Sequence, residues 1–260
     1  MSIPQPPWHT ALTSTGPGGV FVRGRPVADL MRAGSFVATL LLLWTGRRPP
    51  AADVELVETC LIACVDHGAV TPSALATRTA ASTGNRPLPS AATGLLATGP
   101  LHGAAVTACA ELLAAAPPTD LDRWAEETVD RVRRRGGRVP GLGHRWHRED
   151  PRTAVIVDLL AAQNRGHAPV AAAQALARAL SRRTGKHQCV NVDGGLALAV
   201  VTIGLPAPFG DCLFGLARLG GLSAHAVEES TRQRPMRVIE PELVRYDGPA
   251  VQSATPEKVC

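Results

Sequence analysis

The chain has 260 residues, of which 45% are hydrophobic, 19% charged and 3% aromatic, a composition that predicts one large globular domain, or one with a small satellite, and excludes a long disordered region. The 27 Lys and Arg residues against 22 Asp and Glu residues give a net charge of +5, which suits an anionic ligand but is too small to indicate nucleic acid. The longest apolar stretch, residues 36–44, is about half as long as a membrane span, so no membrane partner is expected.

Abundant alanine and few aromatic residues predict an all-α fold. The chain opens with a proline-rich arm at residues 1–7, and a short β-ribbon is predicted at residues 20–22. Capping residues and Gly or Pro breaks delimit the helices, which are predicted at residues 26–31, 35–44, 51–66, 72–82, 90–98, 102–115, 121–135, 151–164, 169–183, 194–203 and 209–231. Residues 232–248 are predicted to be extended and residues 249–260 to form a polar tail.

The distribution of glycine-proline joins along the chain indicates two parts. We predict a smaller helical lobe at residues 117–205. The larger helical domain then consists of residues 1–116 and 206–260, which include the N-terminal arm and the C-terminal tail.

The six cysteines show no regular spacing and lie mostly in apolar helical stretches, as reduced core cysteines do. Together with the absence of a signal-peptide pattern, this predicts a cytoplasmic protein. Cys60, Cys64 and His67 have the spacing of one helix face and form a candidate metal site. No fourth ligand is near them in the sequence, so core packing is the preferred interpretation and no metal is expected.

Three polar residues lie where predicted helices begin after glycine-rich or apolar segments, namely His102, His144 and Asp193. Backbone amides and the helix dipole at such positions disfavour imidazolium, so a histidine there is neutral and can donate a hydrogen bond to a developing enolate. Taken singly, each residue is more often a cap or a packed polar group. A fourth histidine, His225, lies in the last long helix and is interpreted as structural.

The order of the polar motifs carries more information than any one of them. Asp66-His67-Gly68, Leu101-His102-Gly103, Gly143-His144, Asp150-Pro151-Arg152 and Asn191-Val192-Asp193 follow one another along the chain. This series resembles the citrate synthase superfamily, and within it the short citryl-CoA lyase branch that includes the citrate-synthase-like module of ATP-citrate lyase. The resemblance runs from about Gly24 to Pro249. It implies a large helical domain plus a smaller helical lobe, with the active site in the cleft.

The resemblance also implies a role for each motif in carbon–carbon bond chemistry. His102 would stabilise the enol of acetyl-CoA, His144 would exchange a proton with the carbinol oxygen, and Asp193 would handle the proton of the acetyl methyl group. The carboxylates of citrate or oxaloacetate would be bound by His67, Arg152 and Arg218, with Arg145 as a further candidate; bidentate pairing with carboxylates explains the use of arginine.

Coenzyme A is expected as part of a thioester substrate and not as a permanently bound cofactor. By the same resemblance, the loop that includes Val139, Gly141, Leu142 and Gly143 would cradle the adenine through its backbone. Lys186 and the basic cluster at residues 133–138 are candidates for phosphate contacts.

Two positions depart from the family pattern. Val106 stands where family members commonly carry an asparagine that supports the enol-stabilising histidine. Family sites are also completed by an arginine of the partner subunit, but the matching stretch here is Glu240-Pro241-Glu242. That role therefore passes to Arg234 or Arg237, or the substrate differs. A homodimer is the minimum assembly that this arrangement implies.

Three functions follow from these motifs. The first is cleavage of citryl-CoA to acetyl-CoA and oxaloacetate by a retro-Claisen reaction. The second is the reverse type of reaction, a citrate or alkylcitrate synthase-like condensation of an acyl thioester with a 2-oxo acid. The third is a non-catalytic CoA-binding relative, which intact His102, His144 and Asp193 argue against.

Overall fold

The computed structural model describes residues 8–144 and 148–249. Its architecture confirms the predicted all-α fold, with eleven α-helices among the described residues. In chain order these helices are α1 (Val27–Ala33), α2 (Phe36–Thr45), α3 (Ala51–Cys64), α4 (Pro72–Ser82), α5 (Pro87–Leu96), α6 (Val106–Ala114), α7 (Leu121–Arg134), α8 (Pro151–Ala162), α9 (His167–Thr184), α10 (Val192–Ile203) and α11 (Phe209–Arg232). A short 3₁₀-helix follows at Pro241–Leu243.

A small antiparallel sheet precedes the helices and extends the predicted ribbon. Its strands are β1 (Thr13–Gly16), β2 (Gly19–Val22) and β3 (Arg25–Pro26), in that spatial order. The Arg23 guanidinium anchors the sheet, because its Nε and NH2 groups donate to the carbonyl of Leu43 near the end of α2 at 3.0 and 2.8 Å.

Helix starts follow the capping pattern only in part. The hydroxyl of Ser35 accepts from the N–H of Ala38 and caps α2 as predicted. Thr71 precedes α4, but its hydroxyl donates to the carbonyl of Gly68 and makes no cap bond. Asp120 precedes α7 in a left-handed conformation and likewise makes no side-chain cap bond.

The helix predicted to begin at His102 begins four residues later, at Val106. His102 lies instead in a tight turn, in which its N–H and carbonyl pair with the carbonyl and N–H of Gly99, both at 2.8 Å. Gly103 follows with φ of +80°, and a Cβ there would lie 2.2 Å from the ring of Phe214. His144 also lies in a loop, before the cap of α8 at Asp150. The prediction that these histidines stand at the starts of their own helices is therefore wrong.

Two helices organise the core. The long α11 packs against α3, α4, α5 and α6, and α10 packs against α3, α6, α8 and α9. One continuous hydrophobic cluster joins Leu56, Leu113, Leu160, Leu176 and Leu196 across these helices. This cluster draws on both parts of the predicted two-lobe division, which stays a prediction. Within the described residues, none of the helices combines the length and the apolar character that crossing a membrane requires.

Helix α4 buries several polar side chains in addition to the apolar Ala74 and Ala81. Ser73, Thr77, Arg78 and Ser82 are all buried. The helix packs against α5 at Gly94, where a Cβ would lie 2.1 Å from Oγ1 of Thr77 and 2.6 Å from the carbonyl oxygen of Ser73. The absence of a side chain at Gly94 therefore sets how closely the two helices approach.

This contact predicts that Gly94→Ala lowers the free energy of unfolding by about 1–3 kcal/mol, because the added methyl group must push α4 and α5 apart. The matched control is Gly215→Ala in α11, where an added Cβ meets nothing within 4 Å and the variant should gain up to about 1 kcal/mol from the lower chain entropy of alanine. Urea denaturation measures both. Equal stabilities of the two variants would contradict the proposed close packing.

Candidate active site

Three loops and one helix converge in the structure. They carry four of the residues that were singled out from the sequence. His67 follows α3, His102 lies in the turn before α6, His144 ends the loop before α8, and Asp193 lies in the first turn of α10. The rings of His67 and His144 are 6.5 Å apart, centroid to centroid, and nearly perpendicular. Burial lowers the pKa of His67 and of His102, and the charge of Arg218 lowers both further.

The imidazole of His102 is supported by the start of α4. Its Nε2 lies 2.8 Å from the hydroxyl of Ser73, and the backbone N–H of Ser73 donates to the same nitrogen at 3.4 Å. Because a backbone N–H can only donate, Nε2 accepts and the proton of the neutral ring lies on Nδ1. Ser73 is the second residue of α4, so a helix N-terminus does favour a neutral His102, although it belongs to α4 and not to α6.

Val106 does not take part in this support. Its side chain is fully buried and packs against Gly210 of α11, where a Cβ would lie 2.6 Å from Cγ1 of Val106. The carboxylate of Asp211 accepts from the N–H of Thr107 at 3.1 Å and caps the start of α6. Ser73 thus provides the hydrogen bond to His102, and sequence analysis missed it because its partner is 29 residues away.

Asp193 is not needed as a helix cap, because the side chain of Asn191 accepts from the N–H of Gly194 at 3.2 Å and caps α10. Burial raises the pKa of Asp193 to about 6, with Arg152 and Arg218 opposing the rise and Asp211 and Asp150 adding to it. A carboxyl group with this pKa exchanges its proton near neutral pH, as a general acid or base requires.

Close backbone contact fixes the loop of His144 against the helix of Asp193. Gly141 has φ of +74°, and a Cβ on it would lie 2.9 Å from the Cα of Gly194. The carbonyl of Gly141 accepts from the N–H of Asn191, and the side-chain amide of Asn191 donates to the carbonyl of Gly143. The N–H of Gly143 donates to the backbone carbonyl of Cys189 at 2.7 Å.

The same loop is the predicted adenine cradle. Val139 and Leu142 are buried, and the carbonyls of Gly141 and Gly143 already accept the hydrogen bonds from Asn191. Adenine binding by these residues stays a prediction. Lys186 and the basic cluster are exposed, as phosphate contacts would have to be.

The two arginines predicted to bind carboxylates differ in how they are held. Arg152 forms a two-point pair with Asp150, at 2.9 Å from Nε and 2.8 Å from NH2. Arg218 is buried, its Nε donates to the carbonyl of Cys64 at 3.0 Å, and its guanidinium lies 4.8 Å from the centre of the Phe214 ring. Neither terminal nitrogen of Arg218 has a hydrogen-bond partner among the described residues. This leaves one edge of a desolvated guanidinium for an anionic ligand.

Of the three other predicted arginines, the two that the structure describes lie away from this cluster. Arg145 is outside the described residues. Arg237 pairs through both ends of its guanidinium with the buried carboxylate of Glu229, at 2.8 and 2.7 Å, and its N–H donates to Ser82 at the end of α4. Ser82 is nine residues from Ser73, about 14 Å along the helix. Arg237 therefore lies at the opposite end of α4 from His102, and Arg234 beside it is exposed.

Cys60 and Cys64 are buried side chains of α3 with free thiols. Burial raises the pKa of both thiols, to about 12 for Cys64. Across residues 8–144 and 148–249, no three His, Cys, Asp or Glu side chains are grouped so as to hold a metal ion.

This helical fold is that of an enzyme superfamily whose members are synthases and lyases. Residues 20–242 match the family model described as "Citrate synthase, C-terminal domain", and the chain belongs to that family.

Solved structures and curated relatives agree with this assignment. The structure of citryl-CoA lyase from Hydrogenobacter thermophilus is similar with a TM-score of 0.86 and 28% identity, over 95% of this chain and 97% of that one. Citrate synthase from Thermoplasma acidophilum, in a ternary complex with carboxymethyl coenzyme A and oxaloacetate, has a TM-score of 0.67 and 25% identity, over 86% and 60% of the two chains. The ATP-citrate synthase beta chain protein 1 of Arabidopsis thaliana is 29% identical over 235 residues, which are 82% of this chain and 38% of that protein. The chain thus spans well under half the length of this curated relative.

Because the pKa of Asp193 is raised, its contribution to the free energy of unfolding should depend on pH. The folded protein holds this proton more tightly than the unfolded chain, so unfolding releases it between about pH 4 and pH 6, and the stability of the wild type falls as pH rises through that window. Asp193→Asn lacks this loss, so its stability relative to wild type should rise by about 1–3 kcal/mol from pH 4 to pH 6 and stay level above.

Urea denaturation at closely spaced pH values measures this difference. Asp158→Asn, which removes an exposed carboxylate of α8, controls for the loss of one charge. A stability difference between Asp193→Asn and wild type that does not vary with pH would show that Asp193 is not buried as the structure places it.

Proposed function

We propose that the chain cleaves citryl-CoA to acetyl-CoA and oxaloacetate by a retro-Claisen reaction. The observation that carries the proposal is a cluster in which His102 and Asp193 lie near the buried Arg218 and His144 lies beside His67, in a fold with a TM-score of 0.86 to a citryl-CoA lyase. The cluster combines two imidazoles, a carboxyl group that titrates near neutral pH and a guanidinium for a carboxylate.

In the proposed mechanism, His144 accepts the proton of the hydroxyl group of citryl-CoA. The bond between the carbinol carbon and the acetyl methylene breaks, and its electron pair moves into the thioester as an enolate. The N–H at Nδ1 of His102 donates to the enolate oxygen, because Nε2 is occupied by Ser73. Protonated Asp193 then transfers its proton to the carbon, which yields acetyl-CoA and leaves oxaloacetate.

The carboxylates of the oxaloacetate moiety are assigned to His67, Arg152, Arg218 and Arg145. The open edge of Arg218 supports this assignment, since a guanidinium that has lost its hydration needs an anionic partner. Coenzyme A enters as part of the substrate, with its adenine at the loop of Val139, Gly141, Leu142 and Gly143. Lys186 contributes to phosphate binding, and no metal or permanent cofactor is required.

The alternative is the condensation direction, as a citrate or alkylcitrate synthase. The specific observation in its favour is the similarity to the citrate synthase of Thermoplasma acidophilum, whose complex contains oxaloacetate and a coenzyme A derivative. The same cluster would serve both directions, because each proton transfer is reversible. The substrate pair that turns over decides between them.

We further propose a two-lobe enzyme that acts in the cytoplasm as a homodimer. His67, His102 and Arg218 come from the larger domain at residues 1–116 and 206–260, and His144 and Asp193 from the lobe at residues 117–205, which supports a site in the cleft between them. Exposed apolar side chains on α5 and on the C-terminal segment support a dimer, and include Leu88, Leu96, Ile239, Leu243 and Tyr246. Because Arg237 is engaged by Glu229, Arg234 is assigned to the partner's site.

The catalytic assignment predicts that Asp193→Asn and His102→Ala each lower kcat by about 10²–10⁴-fold, since the first removes the group that protonates the carbon and the second removes the N–H that stabilises the enolate. Cleavage is measured as oxaloacetate formed from citryl-CoA, and condensation as free thiol released from acetyl-CoA and oxaloacetate. His167→Ala, which removes an exposed histidine bonded to Asn164, is the control and should keep wild-type rates. Wild-type protein that is stabilised by coenzyme A yet turns over neither substrate set would instead indicate the non-catalytic relative.

The assignment of Arg234 to the partner's site predicts complementation. Arg234→Ala and Asp193→Asn should each be inactive, but an equal mixture that is unfolded and refolded should recover about a quarter of wild-type activity. Half of the dimers are then mixed, and each mixed dimer has one intact site. Recovery by Arg237→Ala but not by Arg234→Ala would reassign the role to Arg237, and a monomer in sedimentation analysis would contradict the dimer.

A further inference from the structure

The turn that carries His67 is held along one face of α11. The residues Arg218, Gly221 and His225 are spaced three and four apart, so they share one face of the helix. They contact three successive residues of the chain that leads into His67: Arg218 donates to the carbonyl of Cys64, Gly221 to that of Val65, and His225 to the side chain of Asp66.

The contact at Gly221 brings the two backbones together. Its N–H donates at 3.1 Å to Val65, outside the ladder of α11, and a Cβ on Gly221 would lie 2.3 Å from the carbonyl oxygen of Val65. The approach is therefore possible only for glycine. It places the side chain of Asp66 within reach of His225 one turn further along the helix.

Asp66 organises the turn itself. Its carboxylate accepts from the backbone N–H groups of His67 and Gly68, and its Oδ1 lies 3.0 Å from Nε2 of His225. Burial alone would raise the pKa of Asp66, but these hydrogen bonds and the nearby His225 outweigh burial and lower it. The carboxylate is thus bound on one side to the turn and on the other to α11.

The tautomer of His225 is fixed by Arg78. NH1 of Arg78 lies 3.2 Å from Nδ1 of His225, and because a guanidinium can only donate, Nδ1 accepts and the proton lies on Nε2, facing Asp66. Arg78 is itself buried and is held by Glu228 at 2.9 Å and by Glu229 at 2.8 Å. The Glu229 carboxylate, which also binds Arg237, is fully buried.

We propose that His225 is a positioning residue for His67: its Nε2–H holds Asp66, and Asp66 holds the turn that aims the His67 imidazole at the substrate carboxylate. The proposal rests on the proposed function of His67. It assigns His225 a part in affinity for the dicarboxylate and none in proton transfer, because its two ring nitrogens face Asp66 and Arg78.

The test measures the affinity for oxaloacetate by isothermal titration calorimetry. His225→Ala should weaken binding about tenfold, since one ligand of the carboxylate is no longer held in place. His225→Gln can donate to Asp66 and accept from Arg78, so it should stay within about threefold of wild type. His167→Ala is the matched control for loss of a hydrogen-bonded histidine and should bind as wild type does.

A double-mutant cycle separates positioning from general destabilisation. In the His67→Ala background, His225→Ala should cause no further loss of oxaloacetate affinity. Additive losses, or a His225→Gln variant as weak as His225→Ala, would overturn the proposal. If His225→Ala does not fold, Asp66→Ala removes the other partner of the same bond at a partly exposed position and should give the same tenfold loss.

A substrate-free measurement distinguishes failure of this proposal from failure of the proposed function. In NMR titrations, His67 of the wild type should show a lowered pKa, because it is buried and faces Arg152, Arg218 and His144, with only Asp150 opposing them. In His225→Ala the released turn should bring this pKa back toward its ordinary value. An unchanged His67 titration would overturn the positioning role, whether or not the protein binds or cleaves anything.

Discussion

The buried guanidinium of Arg218 sets the electrostatics of the whole cluster. A desolvated positive charge is costly unless hydrogen bonds and anions surround it, and among the described residues Arg218 contacts the carbonyl of Cys64 and the ring of Phe214. Burial is the largest cause of the lowered pKa of His67 and His102 and of the raised pKa of Asp193; the charge of Arg218 adds to the lowering and, together with Arg152, restrains the rise. The neutral imidazoles and the carboxyl group that titrates near pH 6 are therefore properties of one shared environment. In the proposed function, the dicarboxylate substrate would complete the charge balance.

The second constraint is steric. His67, His102 and His144 lie on loops, and each loop is held at a glycine that leaves no room for a side chain. Gly103 lies under the ring of Phe214, Gly141 against Gly194, and Gly221 against Val65. Loops fixed in this way place side chains more precisely than flexible loops do, which a site that moves protons over short distances requires.

Local signals predicted the fold better than they predicted the site. Ser35 and Pro151 mark helix starts through their own chemistry, so these starts were correct. The start of α6 was wrong because Gly103 takes a left-handed conformation beneath Phe214, a contact between residues more than one hundred positions apart. The family resemblance identified His102, His144 and Asp193 as one set, but Ser73 and His225 could not be assigned. Their partners are 29 and 159 residues away, and no local pattern encodes such distances.

The polar inner face of α4 has a consequence for how variants of this chain are interpreted. Ser73 and Ser82 contribute little to hydropathy, so replacing either of them with alanine or valine would look harmless, or even favourable, on a scale of apolar burial. Yet one end of this helix contacts the imidazole of His102 and the other binds the backbone of Met236 and Arg237. Natural variation along α4 should therefore be judged by lost hydrogen bonds, and a stable variant at these positions is no sign of an intact enzyme.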